Sequence, residues 1–218
     1  IRERFMAFDF KKEYKEFYLP KNQPGIVTVP AMNFAAVRGC GDPNEENGAY
    51  QQAIGVLYGV AYTLKMSRKT DRRIAGFFEY VVPPLEGFWQ QAGGDTIDLS
   101  RKGDLQWISA IRLPDFVTEE DLAWAREQAS KKKKLDCAGA EFLTVDEGLC
   151  VQMMHLGPFD TEGESVARME AFAREAGYET DFESGRLHHE IYLSDARKVP
   201  AEKWKTVIRH PLRRGKGA

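Results

Sequence analysis

Apolar and polar residues alternate along several short runs of the chain, and a period of two is typical of a strand with one buried face. Residues 26–38 form one such run, bent at Pro30, and residues 77–82 and 105–113 form two more. Between the first two runs, apolar side chains recur at helical spacing, at Tyr50, Ile54, Leu57, Ala61 and Leu64. The first half of the chain therefore predicts strand, helix, strand, strand, with Asn44 capping the helix.

The second half repeats this order of elements. Strands are predicted at residues 150–156, 188–193 and 205–210. Thr161 and Glu164 have the spacing of a capping box, and the helix that follows has an apolar stripe made of Val166, Met169, Phe172, Ala173 and Ala176. We therefore predict an α+β fold: a duplicated βαββ unit with pseudo-twofold symmetry. We expect two antiparallel sheets, helices packed on one side and a ligand cleft at the seam.

The whole chain, residues 1–218, is expected to form a single domain. Thr118 and Asp121 have the form of a capping box for a helix that connects the two halves. The predicted parts are a charged, aromatic lead-in at 1–24, a first βαββ half at about 25–115, a connecting helix at about 118–134 and a second βαββ half at about 140–212. The basic, Gly-rich residues after Arg209 are expected to fray.

The composition is that of an ordinary globular protein, with 43% hydrophobic and 29% charged residues. Because 31 Lys and Arg nearly balance 33 Asp and Glu, no net field favours nucleic acid or an anionic membrane as partner. The three cysteines, Cys40, Cys137 and Cys150, have no paired spacing, which favours reduced thiols. With no signal peptide and no apolar run of about 20 residues, we expect a cytoplasmic protein.

Three familiar chemistries find little support in the sequence. The segment Gly39-x-Gly41-x-x-Asn44 lacks the third glycine of a dinucleotide fingerprint, and the acidic residues around it would repel a pyrophosphate. His188 and His189 are adjacent on a predicted strand, so they point to opposite faces and cannot jointly hold a metal ion. The segment around Ser165 lacks the last glycine of a nucleophile elbow. We therefore expect no cofactor and no metal.

The remaining chemical signal is a set of aromatic rings beside carboxylates. On the strand predicted at 188–193, Glu190 and Tyr192 share one face, and residues 77–82 repeat this arrangement with Glu79 in the matching place. Rings hold planar or cationic ligands by stacking and cation–π attraction. We assign ligand binding to Tyr58, Tyr62, Trp89, Trp107, Trp124, Phe142 and His155. We expect Glu190, beside Tyr192, and Glu79 to attract a cation or to accept a ligand proton. A solvent-facing strand and plain core aromatics are the alternative.

Several segments in the same order resemble the GyrI-like small-molecule-binding family. They include Pro84-Leu-Glu-Gly-Phe-Trp89, His189-Glu-Ile-Tyr-Leu-Ser-Asp195 and residues 19–21, 55–66, 112–118 and 205–209. The resemblance implies a duplicated βαββ domain whose cleft binds hydrophobic, often cationic, drug-like molecules, with Glu190 at the position of the family's buried glutamate. Some relatives are ligand-sensing parts of transcription regulators, but the short lead-in leaves no room for a helix-turn-helix reader of DNA.

Within this family, the long form with the Pro-Leu-Glu-Gly-x-Trp segment is similar to cyclopropanoid cyclopropyl hydrolases. That similarity implies hydrolysis of DNA-alkylating cyclopropanoids of the yatakemycin and CC-1065 type in an aromatic cage. Tyr192 or Tyr62 would polarise the dienone carbonyl, and Glu190 or Glu79 would activate water. Gln90 stands where relatives often have a second aromatic, so the cage differs in shape. The alternative function is a protein-interaction module that inhibits or sequesters DNA gyrase or another partner.

Overall fold

The computed structural model describes residues 6–91, 97–182 and 185–215, except for the side chain of Lys133. The helices are α1 Phe10–Glu13, α2 Lys15–Tyr18, α3 Ala49–Lys65, α4 Glu119–Lys133 and α5 Glu162–Glu175. The strands are β1 Gly25–Val29, β2 Met32–Cys40, β3 Leu85–Gln91, β4 Leu105–Arg112, β5 Glu141–Val145, β6 Gly148–Leu156, β7 Tyr178–Thr180, β8 His188–Tyr192 and β9 Lys205–Arg214. None of these helices has the length and apolar character needed to cross a membrane.

The predicted α+β class is confirmed, and the strands form one antiparallel sheet in the order β1-β6-β9-β8-β3-β4-β2-β5, with β7 added beside β9. The order is symmetric about the β8–β3 pair, as a duplicated βαββ unit requires. The halves also exchange outer strands, because β1 pairs with β6 and β5 pairs with β2. Direct pairing of β3 with β8 joins the two expected sheets into one, since it satisfies the backbone groups of both inner edges.

Four local predictions differ from the structure. Residues 77–82 form no strand, and the strand that follows α3 in the first half is β3, which begins after Pro83 and Pro84. Helix α3 begins at Ala49 with Gly48 as its cap, because Asp42 and Asn44 instead form a turn. Thr161 makes no side-chain capping bond at α5.

The expected fraying after Arg209 is also wrong for the next five residues, since β9 continues to Arg214. Its last residues pair with β7, which supplies backbone partners that the sequence pattern does not show. The capping box of Thr118 and Asp121 is present at α4, as predicted, and the break between β1 and β2 falls at Pro30.

The two long helices of the repeats cover one face of the sheet. Helix α3 buries Leu57, Val60 and Leu64 against β2 and β4, and α5 buries Met169 and Ala173 against β6 and β9. We call this face of the sheet the helix face. The opposite face carries a second core, which the lead-in helices cover with Phe10, Phe17 and Tyr18. The helix face at β3 and β8, between α3 and α5, is the seam of the two halves.

Candidate functional site

The alternation of β8 places His188, Glu190 and Tyr192 on the helix face. Glu190 lies directly opposite Gly87 of β3, and His188 lies opposite Trp89. Because Gly87 has no side chain, the space above it is filled by the Trp89 indole and the Tyr192 hydroxyl. The Glu190 side chain is only 13% exposed, so its carboxylate lies in the seam instead of in bulk water.

The Glu190 carboxylate accepts hydrogen bonds from two neighbours on its own strand. His188 Nε2 lies 2.8 Å from Oε1, and the Tyr192 hydroxyl donates to Oε2 at 2.6 Å. The Trp89 indole N–H in turn donates to the Tyr192 oxygen at 3.0 Å. Burial, followed by the charge of Glu190, raises the pKa of Tyr192 well above its ordinary value. Tyr192 is therefore a protonated hydroxyl that is oriented on both sides.

A second carboxyl group meets Glu190 from α5. Glu162, the first residue of that helix, is buried, and its Oε1 has no hydrogen-bond partner among the described residues. Burial and the charge of Glu190 raise the pKa of Glu162 well above its ordinary value. Burial also acts to raise the pKa of Glu190, but hydrogen bonds from His188, Tyr192 and Glu162 lower it overall.

Two histidines extend this cluster away from the seam. His188 Nδ1 lies 2.7 Å from His210 Nε2, and burial, with His188 as the second cause, lowers the pKa of His210 well below its ordinary value. Donor atoms of Glu162, His188 and Glu190 lie within 4.8 Å of one another, a spacing from which they could converge on a metal ion. A tetrahedral zinc site would hold two such donors about 3.4 Å apart. The His188 Nε2–Glu190 Oε1 distance is shorter, at 2.8 Å, and is that of a hydrogen bond.

Aromatic rings surround the carboxyl pair. Tyr50 packs between Trp89 and Trp107, with ring centroids at 5.4 and 5.1 Å, and burial raises the pKa of Tyr50 to about 12. On the other side, Phe159 packs edge-on to Tyr192 at 5.7 Å and lies 4.8 Å from the Trp204 ring. Phe159 is 37% exposed, so this side of the cluster opens to solvent.

The other predicted ligand-binding residues make no hydrogen bond, ion pair or ring contact with Glu190 in the described part of the chain. Tyr58 and Tyr62 are neighbours on α3, with centroids 6.3 Å apart, and Tyr62 is 49% exposed. Burial raises the pKa of Tyr58, and the charges of Arg197 and Asp195 also act on it, so the segment after β8 approaches this part of α3.

Trp124 and Phe142 pack instead around the core that α3 and α4 share. The Trp124 ring lies 5.8 Å from the Arg72 guanidinium. His155 bonds Ser165 and the Pro158 carbonyl, at 2.9 and 3.0 Å, and so fixes the start of α5. The described contacts therefore do not bring these three residues to Glu190.

Glu79 does not occupy the place that corresponds to Glu190. It precedes β3 in an extended segment, where its side chain pairs with Arg68 and its carbonyl accepts from the Phe8 N–H. The expected match between the two halves fails because Pro83 and Pro84 delay the strand, and the strand register puts Gly87 beside Glu190.

Sequence reasoning missed three residues of the site, Glu162, Tyr50 and Phe159. Glu162 has the position of a helix-start acid, and Tyr50 has the position of a core residue in an amphipathic stripe. The signal that could have found Glu162 and Tyr50 is their position in the repeat. Each lies at the start of the helix that follows the first strand of its βαββ unit. His188 was noted for its direction but not for its bond to Glu190.

The opposite face of the sheet carries a different buried polar cluster. His189 lies 2.7 Å from Glu86 and 2.9 Å from Glu147, and Arg209 bonds the other Glu147 oxygen at 2.8 Å. Beside it is an open cavity of about 700 Å³, lined in part by Phe88, Gln90, Leu143 and Glu147. In this cluster Glu147 is paired with both His189 and Arg209. Glu190 in the seam, by contrast, has no lysine or arginine partner among the described residues.

The fold and the seam define a class of protein. It is an α+β domain made of two βαββ units, with a buried carboxylate and aromatic rings where the units meet. Over residues 22–213, the chain matches the family model described as the GyrI-like small molecule binding domain, and it belongs to that family. The resemblance indicated by the sequence motifs is thus confirmed, whereas the cyclopropanoid subgroup remains a prediction.

Solved structures agree with this assignment. The chain is 48% identical to an uncharacterized conserved protein from Listeria innocua, with a TM-score of 0.89, covering 95% of this chain and 100% of that one. A hydrolase from Listeria innocua is 46% identical, with a TM-score of 0.86 and the same coverage. The C-terminal domain of EcmrR shares the fold at 12% identity and a TM-score of 0.55, covering 88% and 98% of the two chains. No curated protein matches the chain.

Proposed function

We propose that this protein binds hydrophobic, planar, cationic xenobiotics at the seam, with Glu190 as the anionic anchor. The observation that carries the proposal is a buried carboxylate that no arginine or lysine pairs with in the described part of the chain, enclosed by rings. At an effective dielectric constant near 20, a ligand cation about 4 Å from it gains about 4 kcal/mol before desolvation. Each ring over the cation adds about 0.5–2 kcal/mol.

Binding requires some of the rings to separate. Trp89 is buried and Tyr192 is hydrogen-bonded on both sides, so these two form the floor of the site. Phe159, in the short turn that precedes α5, and Tyr62 of α3 are exposed rings on the two sides. A planar ligand would enter between them and replace their contacts with its own, at low cost because exposed side chains turn readily.

Rhodamine 6G, a planar cation, tests this proposal. We expect the dye to bind the wild type and to bind Glu190→Gln at least about tenfold more weakly, because glutamine keeps the shape but loses the charge. Glu164→Gln, which removes an exposed carboxylate from the same end of the molecule, is the matched control and should bind like the wild type. Equal affinity of the wild type and Glu190→Gln would sink the proposal.

We further propose that the site hydrolyses the cyclopropane of DNA-alkylating cyclopropanoids. The hydrolase from Listeria innocua that is 46% identical to this chain favours a hydrolytic role, and the Tyr192–Glu190 pair supplies the chemistry. When the dienone carbonyl takes the Tyr192 hydrogen bond, it frees one Glu190 oxygen to accept a proton from water. Gln90 stands where relatives often have a second aromatic residue, so it changes the shape of the cage and hence the substrate that fits.

The proposed reaction is balanced as a hydration. Water oxygen bonds to the unsubstituted ring carbon, and the cyclopropane C–C bond breaks with its electron pair moving to the dienone oxygen. That oxygen takes the proton of Tyr192, and the water proton returns to Tyr192 through Glu190. The product is a phenol that carries the alcohol formed by opening of the cyclopropane. The aromatic floor holds the planar drug in line for the attack.

Mass spectrometry of the protein incubated with a cyclopropanoid alkylator tests the hydrolysis. We expect the ring-opened alcohol with the wild type and about 100-fold less of it with Tyr192→Phe, which keeps the ring but not the donor. Tyr62→Phe, a change at an exposed hydroxyl, should leave the rate within about twofold if Tyr192 is the donor. Product formation that is equal in the presence and absence of protein would refute the hydrolysis and leave the binding proposal standing.

A further inference from the structure

We infer that Glu162 and Glu190 hold a single proton between them in the free protein, and that a bound ligand cation displaces this proton. Glu162 is thereby a second anionic residue of the seam, and it makes the site suited to dications as well as monocations. This inference rests on the proposed binding of cations at Glu190.

The geometry carries the first step. In the buried seam, a carboxyl oxygen of Glu190 on β8 lies within 4.8 Å of one of Glu162 on α5, and only His188 offers either group a basic partner among the described residues. Two adjacent carboxylates in such a place cannot both be ionised, because their repulsion adds to the cost of desolvation. One proton between them removes the repulsion and forms a short, strong hydrogen bond.

The groups around the pair determine which carboxyl keeps the proton. From β8, His188 and Tyr192 donate to Glu190, and from β9 His210 faces His188. From α3, Tyr50 reaches Tyr192, and both phenols have raised pKa values and are neutral. Glu162 Oε1 has no donor of its own in the described structure. The negative charge therefore resides on Glu190 and the proton on Glu162.

A cation bound in the seam favours the ionised form of Glu162 over the protonated form. Its positive charge stabilises a second carboxylate, so the pKa of Glu162 falls when the ligand binds. At a pH between the bound and the free value, binding releases a proton, and affinity rises by up to tenfold per pH unit for one proton released. A ligand with two positive charges lowers the pKa of Glu162 further and gains the full charge of both carboxylates.

Isothermal titration of rhodamine 6G in chelator-treated phosphate and Tris buffers at one pH measures the protons released, because the two buffers differ in ionisation enthalpy. We expect net release, up to one proton per dye, from the wild type and from Glu164→Gln. Glu162→Gln, in which the amide can still donate to Glu190, should bind the dye without release, and its affinity should not change between pH 6 and pH 8.

Dye binding without proton release by the wild type, or equal release by Glu162→Gln, would overturn this inference and leave the binding proposal intact. Absence of dye binding would instead refute the binding proposal. The shared proton has its own check, since the infrared band of a protonated carboxyl at neutral pH should be present in the wild type and in Glu164→Gln. Persistence of that band in Glu162→Gln would place the proton elsewhere.

Discussion

At the scale of single residues, the molecule contains two buried carboxylate clusters that differ in charge balance. On the sheet face opposite the helix face, Glu147 lies between His189 and Arg209, so its charge is compensated. In the seam, Glu190 has a histidine, a tyrosine and a second carboxyl group. Because only the first cluster is neutralised, it is the structural one, and the second is where a cation gains most.

The Glu147 cluster predicts how stability depends on pH. Burial alone would raise the pKa of Glu147, but the charges of His189 and Arg209 lower it from 4.5 to about 2. A carboxyl whose folded pKa is depressed stabilises the protein above its unfolded pKa, and this contribution is lost as the pH falls toward the folded value. We therefore expect urea unfolding to show a loss of about 3 kcal/mol between about pH 4.5 and pH 2 from this group.

His189 does not offset that loss. Burial lowers its pKa, but Glu147 and Glu86 raise it overall, so its own contribution is present below about pH 6.5 and is lost only as the pH rises through its folded value. Glu147→Gln should be less stable than the wild type above pH 4.5, and the difference should shrink toward pH 2. Glu141→Gln, at an exposed pair with Arg38, should change stability by no more than about 0.5 kcal/mol. A constant difference across this range would contradict the assignment.

At the scale of elements, strand β3 shapes the floor of the seam. A Cβ atom at Gly87 would lie 2.5 Å from Trp89 Nε1 and 2.9 Å from the Tyr192 hydroxyl, both closer than real contacts. The glycine therefore allows the indole and the phenol to meet above the strand, opposite Glu190. The sequence pattern placed this strand at residues 77–82, but it begins only after Pro83 and Pro84, which cannot donate to the ladder.

Gly87→Ala tests this dependence. We expect the added methyl group to separate Trp89 from Tyr192, to cost about 1–3 kcal/mol of stability and to weaken rhodamine 6G binding. Gly25→Ala, in β1 where nothing lies within 4 Å of the added atom, is the control and should leave both properties nearly unchanged. Stability would be read from urea denaturation and binding from dye fluorescence. An alanine variant at position 87 with unaltered dye affinity would remove Gly87 from the account of the site.

At the scale of the whole molecule, the two halves are interdependent. The β3–β8 pair runs through the centre of the sheet, and each half supplies an outer strand to the other. Arg209 of β9 also donates to the Phe17 carbonyl at 2.8 Å, which ties helix α2 of the lead-in to the last strand. If the halves were separated, strands of each half would lose hydrogen-bonded neighbours that the other half supplies.

This interdependence predicts a single cooperative unfolding transition, although a chain of 218 residues is long enough for intermediates to be common. In urea, far-ultraviolet circular dichroism and tryptophan fluorescence should give the same midpoint, since separating the halves breaks the central strand pair. Two transitions, or a fluorescence midpoint well below that of the dichroism, would show that the halves unfold independently.

The sequence by itself determined the features that depend on local spacing and on repetition. The alternating strands β1, β2, β4, β6, β8 and β9 and the amphipathic helices α3 and α5 follow from periods of two and 3.6. The capping box of α4 follows from the spacing of Thr118 and Asp121. The direction of Glu190 and Tyr192 also follows, because neighbours two apart on a strand share a face. The family resemblance rests on the same segments.

Only the tertiary structure decided what depends on the register between distant strands. The pairing of β3 with β8 merged two expected sheets and put Gly87, not Glu79, beside Glu190. The packing of α5 brought Glu162 to the same carboxylate, and that of α3 brought Tyr50 to Trp89. These contacts join residues far apart in the chain, so no local period encodes them, and the charge of the seam is a property of the assembled sheet and helices.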